Sequence, residues 1–234
     1  MPVPVSGHLY PDVHNFTMRL AILGASGRNG TELTKQAMEQ CHDVTALVRS
    51  EEKMREKVPD ERLKVEIVNV TSVESLTRHF KGKDAVVSAL GHVGELKDTV
   101  AIFSESIKAI VPAMRNAGVC RLLTLSAWYT FDDPKEPAPP IVLQLLGNVL
   151  KDLAHMESYL MAECGDLEWT SARFPSLTAG PATELPFAEN ADAVQVYGSQ
   201  RCRVARGDVA RFVLATLSSG KYKGKAVAVA TLQN

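Results

Sequence analysis

Gly24, Gly27 and Gly30 carry the clearest chemistry in this chain. They stand in Gly24-Ala25-Ser26-Gly27-Arg28-Asn29-Gly30, directly after an apolar run and directly before a helix-forming stretch. Strand, tight glycine turn and helix together aim backbone N–H groups and a positive helix end at one point, which suits a phosphate. The spacing is G-x-x-G-x-x-G rather than G-x-G-x-x-G. Its position between strand and helix makes it a dinucleotide-phosphate site, with Ser26, Arg28 and Asn29 beside the glycines. Arg49 follows about 20 residues on, where a carboxylate would bond the adenosine 2′-hydroxyl and select NAD. A guanidinium there pairs instead with a 2′-phosphate. The expected cofactor is therefore NADPH/NADP, with Arg28 a second candidate for the same phosphate.

These groups need elements to position them. Met18–Leu23 reads as a buried strand and Thr31–Gln40 as a helix with one apolar face. Asp43–Val48 is a second strand that ends at Arg49. The charge run Glu51–Arg62 reads as a solvated helix or loop; Lys53 or Arg55 could reach the phosphate, and neither is assigned to it. Lys64–Val70 is a third strand, and Asn69 and Val70 end it beside the expected adenine. A short helix, Val73–Phe80, precedes a fourth strand, Asp84–Leu90, closed by Gly91. Leu90-Gly91 would let backbone pass close to a cofactor. Lys97–Ala117 is a long amphipathic helix that Pro112 should kink or interrupt, with Gly118 as its cap. The fifth strand, Cys120–Leu125, ends in Ser126-Ala127. Trp128 then opens an aromatic, proline-rich loop that could wall a flat substrate. Ile141–Ala162 is a helix capped by Gly165, and Leu167–Ala172 a sixth strand that Arg173-Phe174-Pro175-Ser176 leave. Thr178–Arg203 has no clear assignment. Val209–Leu217 is a helix and Lys225–Ala230 a last strand.

Strands apolar on both faces, alternating with helices, mean α/β architecture: a doubly wound, mostly parallel sheet with helices on both faces. Ligands in such sheets lie beyond the carboxyl ends of the strands, where Gly24, Arg49, Gly91 and Ser126 all fall.

The 234 residues carry a net charge of −1, which argues against nucleic acid or an anionic membrane as partner. No apolar run reaches membrane-span length. Residues 1–17 lack a basic end and read as a loose arm before a domain at 18–234. The four cysteines are scattered and fit reduced thiols in a cytoplasmic protein; the scattered cysteines and histidines give no metal spacing.

No tyrosine has a lysine four residues on: Tyr129 is followed by Asp133, Tyr159 by Glu163 and Tyr197 by Arg201. Alcohol oxidation through a Tyr-x-x-x-Lys pair is therefore not expected. The segments LGASGRNG, VTALVRS, DAVVSALG and LLTLSAWYTFDDP resemble atypical short-chain dehydrogenases of the NmrA-like kind. Within these, the chain resembles the NADPH-dependent flavin reductase, or biliverdin IXβ reductase, family. The resemblance implies a single-domain Rossmann fold, often monomeric, that reduces flavins and related flat acceptors. It assigns the pyrophosphate to Gly24, Ser26, Gly27, Asn29 and Gly30, and the 2′-phosphate to Arg49. It places Leu90, Gly91 and Ser126 along the nicotinamide, bordered by Phe174 and Pro175, with Ser126 orienting the carboxamide or the acceptor. The family has aspartate where Asn69 stands, and Asn69 should still meet the adenine amine through its carbonyl. It has a substrate-side histidine where Ser176 stands, which disfavours tetrapyrrole more than flavin. Ala127, Trp128 and Ser176 would line the acceptor site. A non-catalytic NADP(H)-binding redox sensor acting through a protein partner is the competing reading. Reduction of a plant-type phenolic ether is a third, and would use Lys151 on the helix after the fifth strand.

Overall fold

The computed structural model describes residues 17–92, 99–135, 137–196 and 203–232. Its centre is a sheet of eight strands: β1 (Arg19–Leu23), β2 (Asp43–Val48), β3 (Lys64–Ile67), β4 (Ala85–Ser88), β5 (Arg121–Ala127), β6 (Glu168–Phe174), β8 (Phe187–Ala191) and β10 (Lys225–Thr231). Their order is β3-β2-β1-β4-β5-β6-β10-β8. Every pairing is parallel except β8 on β10. Alternate side chains of β1 feed two cores. Leu20 and Ile22 join helices α1 (Arg28–Glu39), α2 (Glu51–Lys57) and α6 (Arg206–Ser219) on one face. Ala21 and Leu23 join α3 (Val73–Phe80), α4 (Ile102–Ala117) and α5 (Pro140–Glu163) on the other. The doubly wound sheet read from the sequence is the sheet observed. Its strand order reverses at β1, so the crevice beyond β1 and β4 is the place for a ligand.

Several element ends differ from the sequence reading. Helix α1 begins at Arg28, so Arg28, Asn29 and Gly30 are its first turn rather than part of the loop. Helix α4 runs through Pro112 without interruption. The carbonyl that Pro112 cannot reach belongs to Lys108, which is exposed and open to water. Gly118 caps α4 in the left-handed region at φ 72°, as expected. Residues 97 and 98, placed at the start of that helix, lie outside the described residues. Helix α5 ends at Cys164 with φ −120°, so Gly165 is not its cap. Strands β5 and β6 each run two residues further than expected, pairing Ser126 with Arg173 and Ala127 with Phe174. The stretch Thr178–Arg203 contributes β8 and borders a small second sheet, in which β7 (Ser176–Thr178) pairs in parallel with β9 (Arg203–Ala205). Residues 1–16, all but the last residue of the arm read at 1–17, and residues 197–202 fall outside the described residues. Among the described residues no helix is long and apolar enough to cross a membrane. Nor does any cluster of three metal-ligating side chains occur among them.

Candidate functional site

The glycine turn is held by backbone. Gly24 adopts φ +70°, and a Cβ there would lie 2.8 Å from the carbonyl oxygen of Ala89, just past β4. A Cβ on Gly30 would lie 2.2 Å from the Gly24 carbonyl oxygen. That same oxygen accepts from Gly27 N–H at 2.8 Å, and the Gly27 carbonyl accepts from Thr31 N–H at 2.9 Å. Turn, β1 and the first turn of α1 are thus pressed together at distances that only glycine permits. Gly27 caps α1 without a side-chain bond, and the first turn has no acidic residue. The opening N–H groups of α1 remain free for an anion. Asn29 Oδ1 is buried there with no donor.

On the β2 side, Arg49 is exposed and makes no hydrogen bond or ion pair among the described residues. Ser50 caps α2 by accepting from Lys53 N–H at 3.4 Å. Arg55 is committed elsewhere: it pairs with Glu51 and donates to the carbonyls of Asp60 and Leu63. A residue not singled out in the sequence, Lys57, places its Nζ 2.6 Å from the Ser26 carbonyl oxygen. Lys57 stands three residues after Met54, the buried residue of α2, so both share a side of the helix. That spacing was the signal for it. Asn69 is exposed after β3. Its Oδ1 already accepts from Thr71 N–H at 3.1 Å and from the Thr71 hydroxyl at 2.9 Å. What it offers an adenine is therefore the NH2 donor, not the carbonyl expected from the sequence. Val70 is half-buried against the α3–α4 core.

On the β4–β5–β6 side, Leu90 is half-buried and Gly91 exposed. Ser126 is buried at 8% exposure, its Oγ 3.3 Å from Thr130 Oγ1. Thr130 uses its single proton on the Ala127 carbonyl at 2.5 Å, so Ser126 is the donor to Thr130. The lone pairs of Ser126 Oγ remain to accept from a ligand N–H. Two expected site side chains are not at the surface. Trp128 is 2% exposed and packs on Ala228 and Ala230 of β10. Its backbone N–H donates to the Phe174 carbonyl at 2.9 Å, continuing the β5–β6 ladder, and the indole is buried. Phe174 is also 2% exposed, edge-on to Phe212 at 5.8 Å. Ala127 and Pro175 are half-buried; Ser176 is exposed and paired with Arg203 in the small sheet.

A different apolar wall stands at this end of the sheet. Asp152, on α5, caps the start of α4 by accepting from Phe103 N–H at 2.8 Å and Ser104 N–H at 3.2 Å. Residues of α5 ahead of Asp152 therefore overhang the start of α4. Residues 140–149 of that overhang carry no charge, and Ile141, Leu143 and Leu145 are 58%, 47% and 51% exposed. Lys151 and His155 lie on exposed positions of the same helix. Behind Ser126, Arg173 and Glu157 form a buried ion pair at 2.5 Å.

The sequence pattern of a known NAD(P)H-binding family matches residues 24–219, most of the chain. The chain belongs to that NAD(P)H-binding family. An uncharacterized protein of Bacillus subtilis (strain 168), YwnB, is 28% identical over 221 residues, covering 89% of this chain and 96% of YwnB. Two solved structures share the fold. A Rossmann-fold NAD(P)-binding family protein of Shigella flexneri superposes with a TM-score of 0.69 at 18% identity, covering 92% of this chain and 94% of that one. A candidate NADH-flavin reductase of Streptococcus pneumoniae superposes with a TM-score of 0.73 at 20% identity, covering 92% and 100%.

The site of this NAD(P)H-binding protein fits its cofactor on its own terms. A cradle that any Cβ would fill, an uncapped helix start, and an unpaired guanidinium at the end of β2 match a diphosphate and a ribose phosphate in turn. If Arg49 reads the 2′-phosphate, Arg49→Asp should lose NADPH affinity about 100-fold or more and keep NADH affinity. Charge-assisted hydrogen bonds contribute about 1.5–3 kcal/mol each, and a carboxylate adds repulsion. Fluorescence titration with both nucleotides checks this, and an unchanged preference would place the phosphate elsewhere.

Proposed function

We propose that the protein is an NADPH-dependent reductase of flat, conjugated acceptors: flavins such as FMN and riboflavin first, biliverdin-like tetrapyrroles second. The observation that carries this reading is the state of Ser126. Its proton is engaged with Thr130, no Tyr-x-x-x-Lys pair exists in the sequence, and Lys151 is on an exposed position. The site has an acceptor for an amide N–H but no built proton donor among these residues. A flavin suits such a site, because it needs hydride at N5 while its remaining proton comes from water. Bound NADPH supplies that hydride from nicotinamide C4. Ser126 Oγ accepts from the carboxamide and fixes which way the ring lies. The apolar overhang of α5, rather than Trp128, supplies the wall for a flat acceptor and excludes water on that side.

Arg49 and Lys57 support NADPH over NADH, since both bring positive charge to the adenosine side of the turn. The resembled reductases are often monomeric, and the protein is proposed to work as a monomer.

Steady-state NADPH oxidation with FMN or riboflavin tests the reading. Turnover should be detectable with both flavins, and Ser126→Ala should lower it about tenfold by loosening the ring. No turnover with any flavin, joined to equal affinity for NADP and NADPH, would overturn it and leave a non-catalytic nucleotide sensor.

A further inference from the structure

Helices α1 and α6 each begin with an arginine, Arg28 and Arg206. A cation at a helix start is opposed by the helix dipole. Neither arginine has an acceptor among the described residues. The other described arginines, apart from Arg49 and the exposed Arg203, all donate to a carboxylate, a carbonyl, a hydroxyl or a ring nitrogen. Arg206 is half-buried, and its Nε is fully buried with no partner. Burial, and then the charge of Arg28, push its pKa below the usual guanidinium value, so the two side chains feel each other. An orphaned buried donor beside a second unpaired cation is unfavourable in isolation and becomes favourable around an anion.

The backbone fixes where Arg206 stands. Strand β7 starts two residues after β6 ends, and β9 pairs with it, so Arg206 follows at the carboxyl end of the sheet. Gly207 locks the start of α6: a Cβ there would lie 2.0 Å from Ala182 N. Gln36 Nε2 donates to the Gly207 carbonyl at 2.9 Å, which ties α6 to α1. Strands β6 and β10 lie on the opposite side of β1 from β2. Arg206 therefore stands on the side of α1 away from Arg49, near enough to Arg28, the first residue of α1, for the two charges to interact.

We infer that Arg206, together with Arg28, is a phosphate ligand that closes over the diphosphate of the dinucleotide from the α6 side. It is distinct from the 2′-phosphate reader Arg49. The inference rests on NAD(P)H binding and not on the identity of the acceptor. A phosphorylated acceptor such as FMN carries the same chemistry, so the test separates the two sources.

The experiment uses the full chain with Arg206→Gln and Arg206→Lys. NADPH and NADH affinities are measured by titration without acceptor, at several salt concentrations. Arg206→Gln should weaken both nucleotides by the same factor, about tenfold, and flatten the salt dependence; Arg206→Lys should recover part of the loss. Thermal melting of the nucleotide-free Arg206→Gln should match or exceed that of the parent, because a repelling, orphaned cation is gone. Titration of FMN against riboflavin, with NADP present, forms the second arm. If NADPH affinity holds and only FMN loses its advantage over riboflavin, the phosphate is the acceptor's and the diphosphate assignment is overturned. If a variant that melts normally binds NADPH, NADH, FMN and riboflavin as the parent does, Arg206 is no phosphate ligand. Because nucleotide binding is read without turnover, a failure of flavin reduction leaves this result standing.

Discussion

Gly30→Ala should cost at least about 100-fold in NADPH affinity, while leaving a folded protein. The atoms an added methyl would meet are all backbone: Gly24 O at 2.2 Å, Ala25 Cα at 2.7 Å and Gly24 C at 2.8 Å. No side chain can swing away to relieve the clash. Either α1 withdraws from the sheet or the turn withdraws from α1. The Gly24 carbonyl is also the acceptor for Gly27 N–H at 2.8 Å, so its retreat opens the turn. Overpacking of this kind costs about 1–3 kcal/mol in stability. The loss in binding is larger, because the N–H groups that converge on a phosphate no longer converge, and each hydrogen bond to a charged group contributes about 1.5–3 kcal/mol. Gly91→Ala is the internal control. A Cβ at Gly91 meets nothing within 4 Å, so the nucleotide-free protein should melt unchanged. Calorimetric titration of Gly30→Ala, with thermal melts of both variants, checks the pair. A Gly30→Ala protein that binds NADPH like the parent would remove the cradle from the site.

The cradle was legible in the sequence because glycine is demanded by sterics, and sterics act over a few residues. Gly24, Gly27 and Gly30 announce a close approach of backbone wherever they occur in that order between strand and helix. The sheet and its helices were legible for a similar reason: strand Asp43–Val48 shows its bounds through an apolar run and helix Val73–Phe80 through its periodicity. What was not legible depends on partners far away in the chain. Trp128 opens an aromatic, proline-rich stretch and reads as the wall of a substrate site. It is buried because β5 continues to Ala127 and the ladder to Phe174 carries it inward. The strands β7 and β9 are three residues each, too short for a pattern, and exist because they pair with each other. Nor does a sequence show which arginines are spent. Arg55 and Arg49 look alike as neighbours of a phosphate until Glu51, Asp60 and Leu63 are seen to occupy the first.

Glu157→Ala should lower stability by about 3–5 kcal/mol, the cost of stranding one member of a buried ion pair. The carboxylate is fully buried and the Arg173 side chain is 4% exposed. Oε1 accepts from Ser171 Oγ at 2.7 Å and Arg173 Nε at 3.2 Å, and Oε2 from Arg173 Nε at 3.0 Å and Nη2 at 2.5 Å. The guanidinium also donates to the Ala193 carbonyl at 2.7 Å and lies 5.3 Å from the Phe131 ring centroid. One buried cation thus fastens α5, the β5–α5 loop and the segment after β8 to the strand position beside Ser126. Removing Glu157 leaves that cation desolvated with one carbonyl and one ring. The melting temperature should fall by roughly 10 °C for a chain of this size. Glu157→Gln keeps an acceptor and the shape, and should lose less. The double change Glu157→Leu with Arg173→Met removes both charges and should recover most of the stability, since apolar replacements of buried pairs are often neutral. It should not recover turnover, because Phe131 and Ala193 lose the anchor that holds their loops over Ser126. Thermal melts of the three variants, read with NADPH–flavin turnover, separate the two roles. If Glu157→Ala melts like the parent, the pair is not what holds these loops. If the double variant is fully active, the pair serves stability alone.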